Sequence, residues 1–70
     1  MRYMVVIEQG ASSFGAYVPD LPGCIAVGES KQEVLQQIQE AIEFHLEGIK
    51  AGGASAPQPL SYSEFVEVHA

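Results

Sequence analysis

Apolar positions in this chain cluster in short stretches at the two ends and recur at helical period in one long central stretch. Tyr3 to Glu8 is β-branched and aromatic without a breaker, and reads as a strand. Its apolar side chains fall on both sides, with Tyr3, Val5 and Ile7 on one and Met4 and Val6 on the other. That pattern suits a strand covered on both faces. Gln9 to Ser13, with Gly10 inside it, reads as a turn, and Phe14 to Val18 as a second strand. So short a link favours an antiparallel hairpin. Pro19 to Gly23 cannot continue a ladder, because Pro19 and Pro22 have no N–H to donate. Asp20 has a carboxylate able to cap the turn that follows. Cys24 to Gly28 is strand-like again, and ends at a glycine.

Ser30-Lys31-Gln32-Glu33 matches a capping box, in which Ser30 takes the Glu33 N–H and Glu33 reaches back to Ser30. The helix that should follow places apolar residues at 34, 35, 38, 41, 42, 46 and 49 on one face. Glu33, Gln36, Glu40, Glu43 and Glu47 fall on the opposite side. An end near Lys50 is expected, with Gly52 or Gly53 supplying a left-handed residue beyond it. Ala51 to Ser63, with Pro57 and Pro59, reads as an extended surface connector. Phe65 to Val68 reads as a last strand, Val66 and Val68 facing one way and Glu67 the other. The expected fold is therefore α+β, in the order β-β-β-α-β, one domain over residues 1–70 with a small antiparallel or mixed sheet. One helix covers only one face of a sheet. Since the first strand is apolar on both, a second copy of the chain is the simplest cover for the other, which predicts a homo-oligomer, a dimer first.

Size and charge narrow the function. Seventy residues bury a thin core, and such domains lean on disulfides, metals or oligomerisation. Cys24 is the single cysteine, and His45 and His69 do not stand at zinc-ligand spacing from it, which leaves oligomerisation. A net charge of −6, with Arg2, Lys31 and Lys50 scattered, argues against direct nucleic-acid binding; it would attract a basic partner, though acidity by itself also serves simply to keep a small protein soluble. Met4 to Ile7 is too short for a membrane span or a signal segment, so a cytoplasmic protein is expected. No glycine-rich phosphate loop is present, and no cofactor is expected. Cys24 and His45 lack the third group of a nucleophilic site. Cys24 reads instead as a small buried hydrophobe, and His45 as a packed structural residue on the apolar helix face. Glu8, Glu33, Glu40 and Glu67 could suggest a metal-dependent nuclease, but the helical glutamates point away from the sheet. No catalytic or metal site is expected.

Several stretches resemble the HicB-type antitoxin domain of type II toxin–antitoxin systems. They are Tyr3-Met4-Val5-Val6-Ile7-Glu8, Phe14-Gly15-Ala16-Tyr17-Val18-Pro19-Asp20-Leu21-Pro22-Gly23-Cys24, Ala26-Val27-Gly28-Glu29-Ser30, and Glu40-Ala41-Ile42-Glu43-Phe44-His45-Leu46-Glu47. The similarity runs from Tyr3 to about Pro59, and the combination is more specific than any part. It implies a partial ribonuclease H-like fold, no catalysis, and a partner of the HicA toxin type, a small basic mRNA-cleaving ribonuclease. Many members of that family carry a DNA-binding domain after this one; here the chain departs from that pattern, and a solitary domain without one is expected. The expected partner-binding residues, chosen by charge and predicted exposure, are Asp20, Glu29, Glu33, Glu40, Glu43 and Glu47. Pro19, Pro22, Gly23, Gly28, Ser30 and His45 are expected to be structural. The rival readings are a self-associating structural or regulatory domain with no toxin, and a remnant of a metal-dependent nuclease.

Overall fold

A computed structural model describes residues 1–69. Three short strands, β1 (Val6–Gln9), β2 (Phe14–Tyr17) and β3 (Ile25–Gly28), form an antiparallel sheet in sequence order, and α1 (Lys31–Ala51) packs on one face. The registers Val6↔Tyr17 and Tyr17↔Ile25 put Ile7, Ala16 and Ala26 in one row under the helix. Tyr17, Ile25 and Val27 look the other way and stay exposed.

β1 begins later than the apolar pattern suggested. With Val6 opposite Tyr17, residues 3–5 extend past the end of β2, where the chain turns at Pro19 and leaves no ladder partner. Tyr3, Val5 and Ile7 nevertheless pack together against the core, on the face that the alternation assigned to them.

The Pro-rich segment is two consecutive tight turns. Leu21 N–H donates to Val18 C=O at 3.0 Å, and Cys24 N–H donates to Leu21 C=O at 3.1 Å. Pro19 and Pro22 occupy the second positions of these turns, where their fixed φ is already suitable. Gly23 follows Pro22 at φ 85°, the left-handed third position of a type II turn, which favours a residue without Cβ. Between the turns, Leu21 points inward and is wholly buried. The core is Ala16, Val18, Leu21, Cys24, Val34 and Ile38, half of it drawn from this short segment.

Helix α1 starts as the capping signal implied: the Glu33 N–H donates to Ser30 Oγ at 3.0 Å. The reciprocal bond differs. Glu33 Oε1 accepts from the Glu29 backbone N–H at 3.4 Å rather than from Ser30, and also from Gln37 Nε2 at 3.1 Å. At the other end, Gly53 N–H bonds Lys50 C=O at 3.0 Å and Ala54 N–H bonds Ile49 C=O at 3.1 Å, with Gly53 at φ 85°. This is a Schellman closure, with Gly53 as its left-handed residue.

Gly28 is set by packing. A Cβ there would meet the Val34 backbone nitrogen at 2.9 Å and Val34 Cα at 3.1 Å, so the helix start rests directly on β3.

The expected fourth strand is a correction. Residues 54–69 form no strand, and Phe65, Val66 and Val68 are exposed. A strand needs a neighbour's N–H and C=O groups, and this segment lies against no ladder of its own chain. The architecture of the described residues is β-β-β-α, so the fourth strand of a ribonuclease H-like unit is not formed in the single chain.

Gly28→Ala should cost about 1–3 kcal/mol through the clash with backbone atoms of Val34, and Ser30→Ala about 1 kcal/mol through the lost cap. Urea unfolding followed by helical circular dichroism checks both. A Gly28→Ala midpoint equal to that of the parent protein would show that β3 and the helix do not meet this closely.

Candidate functional site

The outward side of α1 is the most distinctive surface. At about 100° per residue, Glu33, Glu40, Glu43 and Glu47 fall within an arc of roughly 80° and span about 21 Å of helix. All four are exposed. They stand there because the opposite side of the helix supplies Val34 and Ile38 to the core, with Ala41, Ile42 and Leu46 packed against it. Glu29, also exposed, lies just before the helix start. Phe44 sits beside this stripe and is 78% exposed. Its position escaped the periodicity argument, which counted the apolar residues that fit the inner face. The signal that finds it is its helical angle, adjacent to Glu33 and Glu40 and away from Val34 and Ile38.

Asp20 does not join the stripe. Its carboxylate accepts the Leu60 N–H at 3.1 Å, the Ser61 N–H at 2.9 Å and the Ser61 hydroxyl at 2.8 Å. The carboxylate thus caps a segment some forty residues away, where proximity in sequence had suggested the next turn. The Ser61 backbone bond, then the Ser61 hydroxyl, hold the Asp20 carboxyl below its ordinary value of 3.8; slight burial opposes them, and the Leu60 N–H adds to them. Beside this clamp, Tyr3 Oη donates to the Pro57 carbonyl. The connector is pinned at two points across the end of the sheet.

The remaining candidates for chemistry lie apart. Cys24 is buried in the core, and burial pushes its thiol above the ordinary value of 9.0. That is the reverse of an activated thiolate. His45 is half-buried on the inner flank of the helix. Glu8 pairs with Gly15 on the sheet face turned away from α1, so it and the helical glutamates lie on opposite sides of the domain. Among the described residues, no three His, Cys, Asp or Glu side chains come together as a metal site would require. No helix among them is long and apolar enough to cross a membrane.

The described residues thus form a two-layer unit with a double Pro-turn, a capped helix and an outward acidic stripe. A family model described as the HicB_like antitoxin of bacterial toxin-antitoxin system matches residues 3–69. The chain belongs to the HicB-like antitoxin family. It is similar to a UPF0150 protein of Thermoplasma acidophilum, 35% identical over 71 residues that cover the whole of both chains. A UPF0150 protein of Helicobacter pylori is 44% identical over 51 residues, 73% of this chain and 71% of that one. An uncharacterized 14.9 kDa protein of Haemophilus phage HP1 is 30% identical over 66 residues, 94% of this chain; the chain spans about half (50%) of the phage protein's length. No solved structure matches significantly. In this HicB-like domain the double turn and the capped helix, on which the resemblance rested, are parts of one core.

Two outcomes follow. Because the Asp20 carboxyl has a lower pKa folded than unfolded, its stabilising effect is complete above the ordinary carboxylate value and is lost as pH falls through the depressed one. The Leu60 and Ser61 amide resonances should therefore hold their positions at neutral pH and move together below about pH 4. In Asp20→Asn that concerted movement should vanish; its persistence would assign it to another group. Separately, Cys24 should react with a maleimide far more slowly in the native protein than in urea. Equal rates would contradict its burial.

Proposed function

We propose that this HicB-like domain is a cytoplasmic antitoxin that binds and occludes a small basic ribonuclease of the HicA type, and that it does so as a homodimer. The observation that carries the reading is the outward acidic stripe of α1 in a chain of an antitoxin family. A ribonuclease must present a cationic surface to its RNA, because phosphate contacts dominate nucleic-acid affinity. A row of carboxylates on a rigid helix can occupy that surface, with Glu33, Glu40, Glu43 and Glu47 as the main contacts and Glu29 at the end of the row. Phe44 gives the row an apolar anchor, of the kind that concentrates binding energy at interfaces. Asp20 serves the domain itself by holding the connector. The net charge of −6 extends the attraction to longer range and raises the rate of encounter.

Self-association has its own support. The sheet face away from the helix leaves Ile25 67% and Val27 64% exposed beside Tyr17, an apolar patch that no part of the described chain covers. A dimer covers such surface and enlarges a thin core.

The test begins with the short basic reading frame expected beside this one, whose product should co-purify with the domain and lose its RNA-cleaving activity in the complex. Glu40→Lys with Glu47→Lys should slow association at low salt about tenfold and flatten its salt dependence, leaving dissociation less affected. Phe44→Ala should instead speed dissociation about tenfold. Association rates that are the same for the parent and the double variant across a salt series would overturn the electrostatic part of the proposal.

A further inference from the structure

The segment after the Asp20 clamp is the least explained part of the chain. Leu60, Tyr62, Phe65, Val66 and Val68 are all exposed. The molecule measures 49 × 27 × 17 Å, with a radius of gyration of 13.9 Å, against about 11 Å for a compact chain of this length. A strongly apolar tail thus stands outside an otherwise folded body. The family match continues through it to residue 69, which makes it part of the domain.

The body offers a place of matching shape. β1 is an outer strand, bonded to β2 on one side, with its other row of backbone donors and acceptors free. Beside the residues that lead into it, between the start of the chain and the helix, runs a groove of about 600 Å³ whose apolar lining includes Tyr3, Val5, Leu35, Ile42 and Leu46, with Glu43 and Lys50 also at its walls. The tail alternates with period two: Glu64, Val66 and Val68 face one way, Phe65 and Glu67 the other. Laid along the edge of β1, it would turn Val66 and Val68 toward the groove and Phe65 toward Val6 on the opposite face. Both apolar sides of the first strand would then be covered.

We propose that residues Glu64–Val68 of one copy add as a fourth strand to the free β1 edge of a second copy, and that the exchange is reciprocal. The tail makes no ladder with its own β1, and the clamps at Pro57 and Ser61 fix the point from which it leaves the body. Two-fold exchange makes every contact twice. With Phe65 covering about 150–250 Å², Val66 and Val68 together about as much, and the receiving surfaces counted over both copies, the buried area comes to about 1,500 Å², within the range of stable interfaces. It also removes an exposed strand edge, which natural sheets seldom leave open.

This inference rests on the homodimer reading above, and a single set of measurements separates the two. Light scattering of the full chain should give a dimer mass. Val66→Lys with Val68→Lys should leave the helical circular dichroism unchanged and raise the dimer dissociation constant about a hundredfold, since two charges would have to enter an apolar contact. In a Cys24→Ser background, copies carrying Phe65→Cys mixed with copies carrying Val6→Cys, which the exchange places on the same face, should form a disulfide between the two kinds of chain, a readout that holds even if the lysine variant unfolds. A dimer indifferent to the lysines and giving no mixed disulfide overturns the exchange while leaving the homodimer standing. A monomeric full chain overturns both, whether Val66 and Val68 are then protected in a strand within one chain or free in solvent.

Discussion

The burial of Leu21 organises this domain. With no disulfide to constrain it, the chain must gain its stability from a core of six buried residues, and the double turn brings three of them together. Val18 enters the turn, Leu21 is held between its two hydrogen bonds, and Cys24 leaves it into β3. Prolines at the second positions reduce the freedom of the unfolded chain, and Gly23 removes the penalty for a positive φ. The turn therefore brings apolar side chains under the helix at low conformational cost. That constraint also explains the shortness of the ladder, since β2 must end at Tyr17 for the turn to begin.

The same turn presents Asp20 to the far end of the chain. Its carboxylate has no place in the core and stands at the rim, where Leu60 and Ser61 complete its hydrogen bonds. One residue type at one turn position thus links a local geometry to a long-range one. The connector is brought back past Tyr3, and Ser61 to Ser63 lie beside Arg2 to Met4, the residues that lead into β1.

A single helix on a three-stranded sheet leaves two unlike surfaces. The outer side of the helix is acidic and fully hydrated, with one aromatic ring at its margin. The far face of the sheet is apolar around Tyr17, Ile25 and Val27. Charge at one surface suits rapid encounter with a cationic partner, and apolar area at the other suits a permanent one. The two surfaces lie on opposite sides of the two layers, so neither obstructs the other.

Much of this could be read from the chain itself. The helix, its Ser30 cap, its closure at Gly52 or Gly53, the antiparallel hairpin and the turn at Pro19–Gly23 all depend on residues close in sequence, where backbone sterics and period leave few options. The inward row of Tyr3, Val5 and Ile7 followed from alternation alone. Three features needed the folded chain. Asp20 reaches Ser61 only because the connector crosses the sheet end, a closure that no local pattern encodes. The helical angle of Phe44 is legible in the sequence, but only the fold shows that its ring is left exposed rather than packed. Phe65 to Val68 has the composition of a strand, yet a strand exists only where another backbone offers its hydrogen bonds. Sequence determined which segments could pair and which faces were apolar. Tertiary structure decided which pairings a single chain can complete, because ladder bonds and buried contacts belong to two segments at a time.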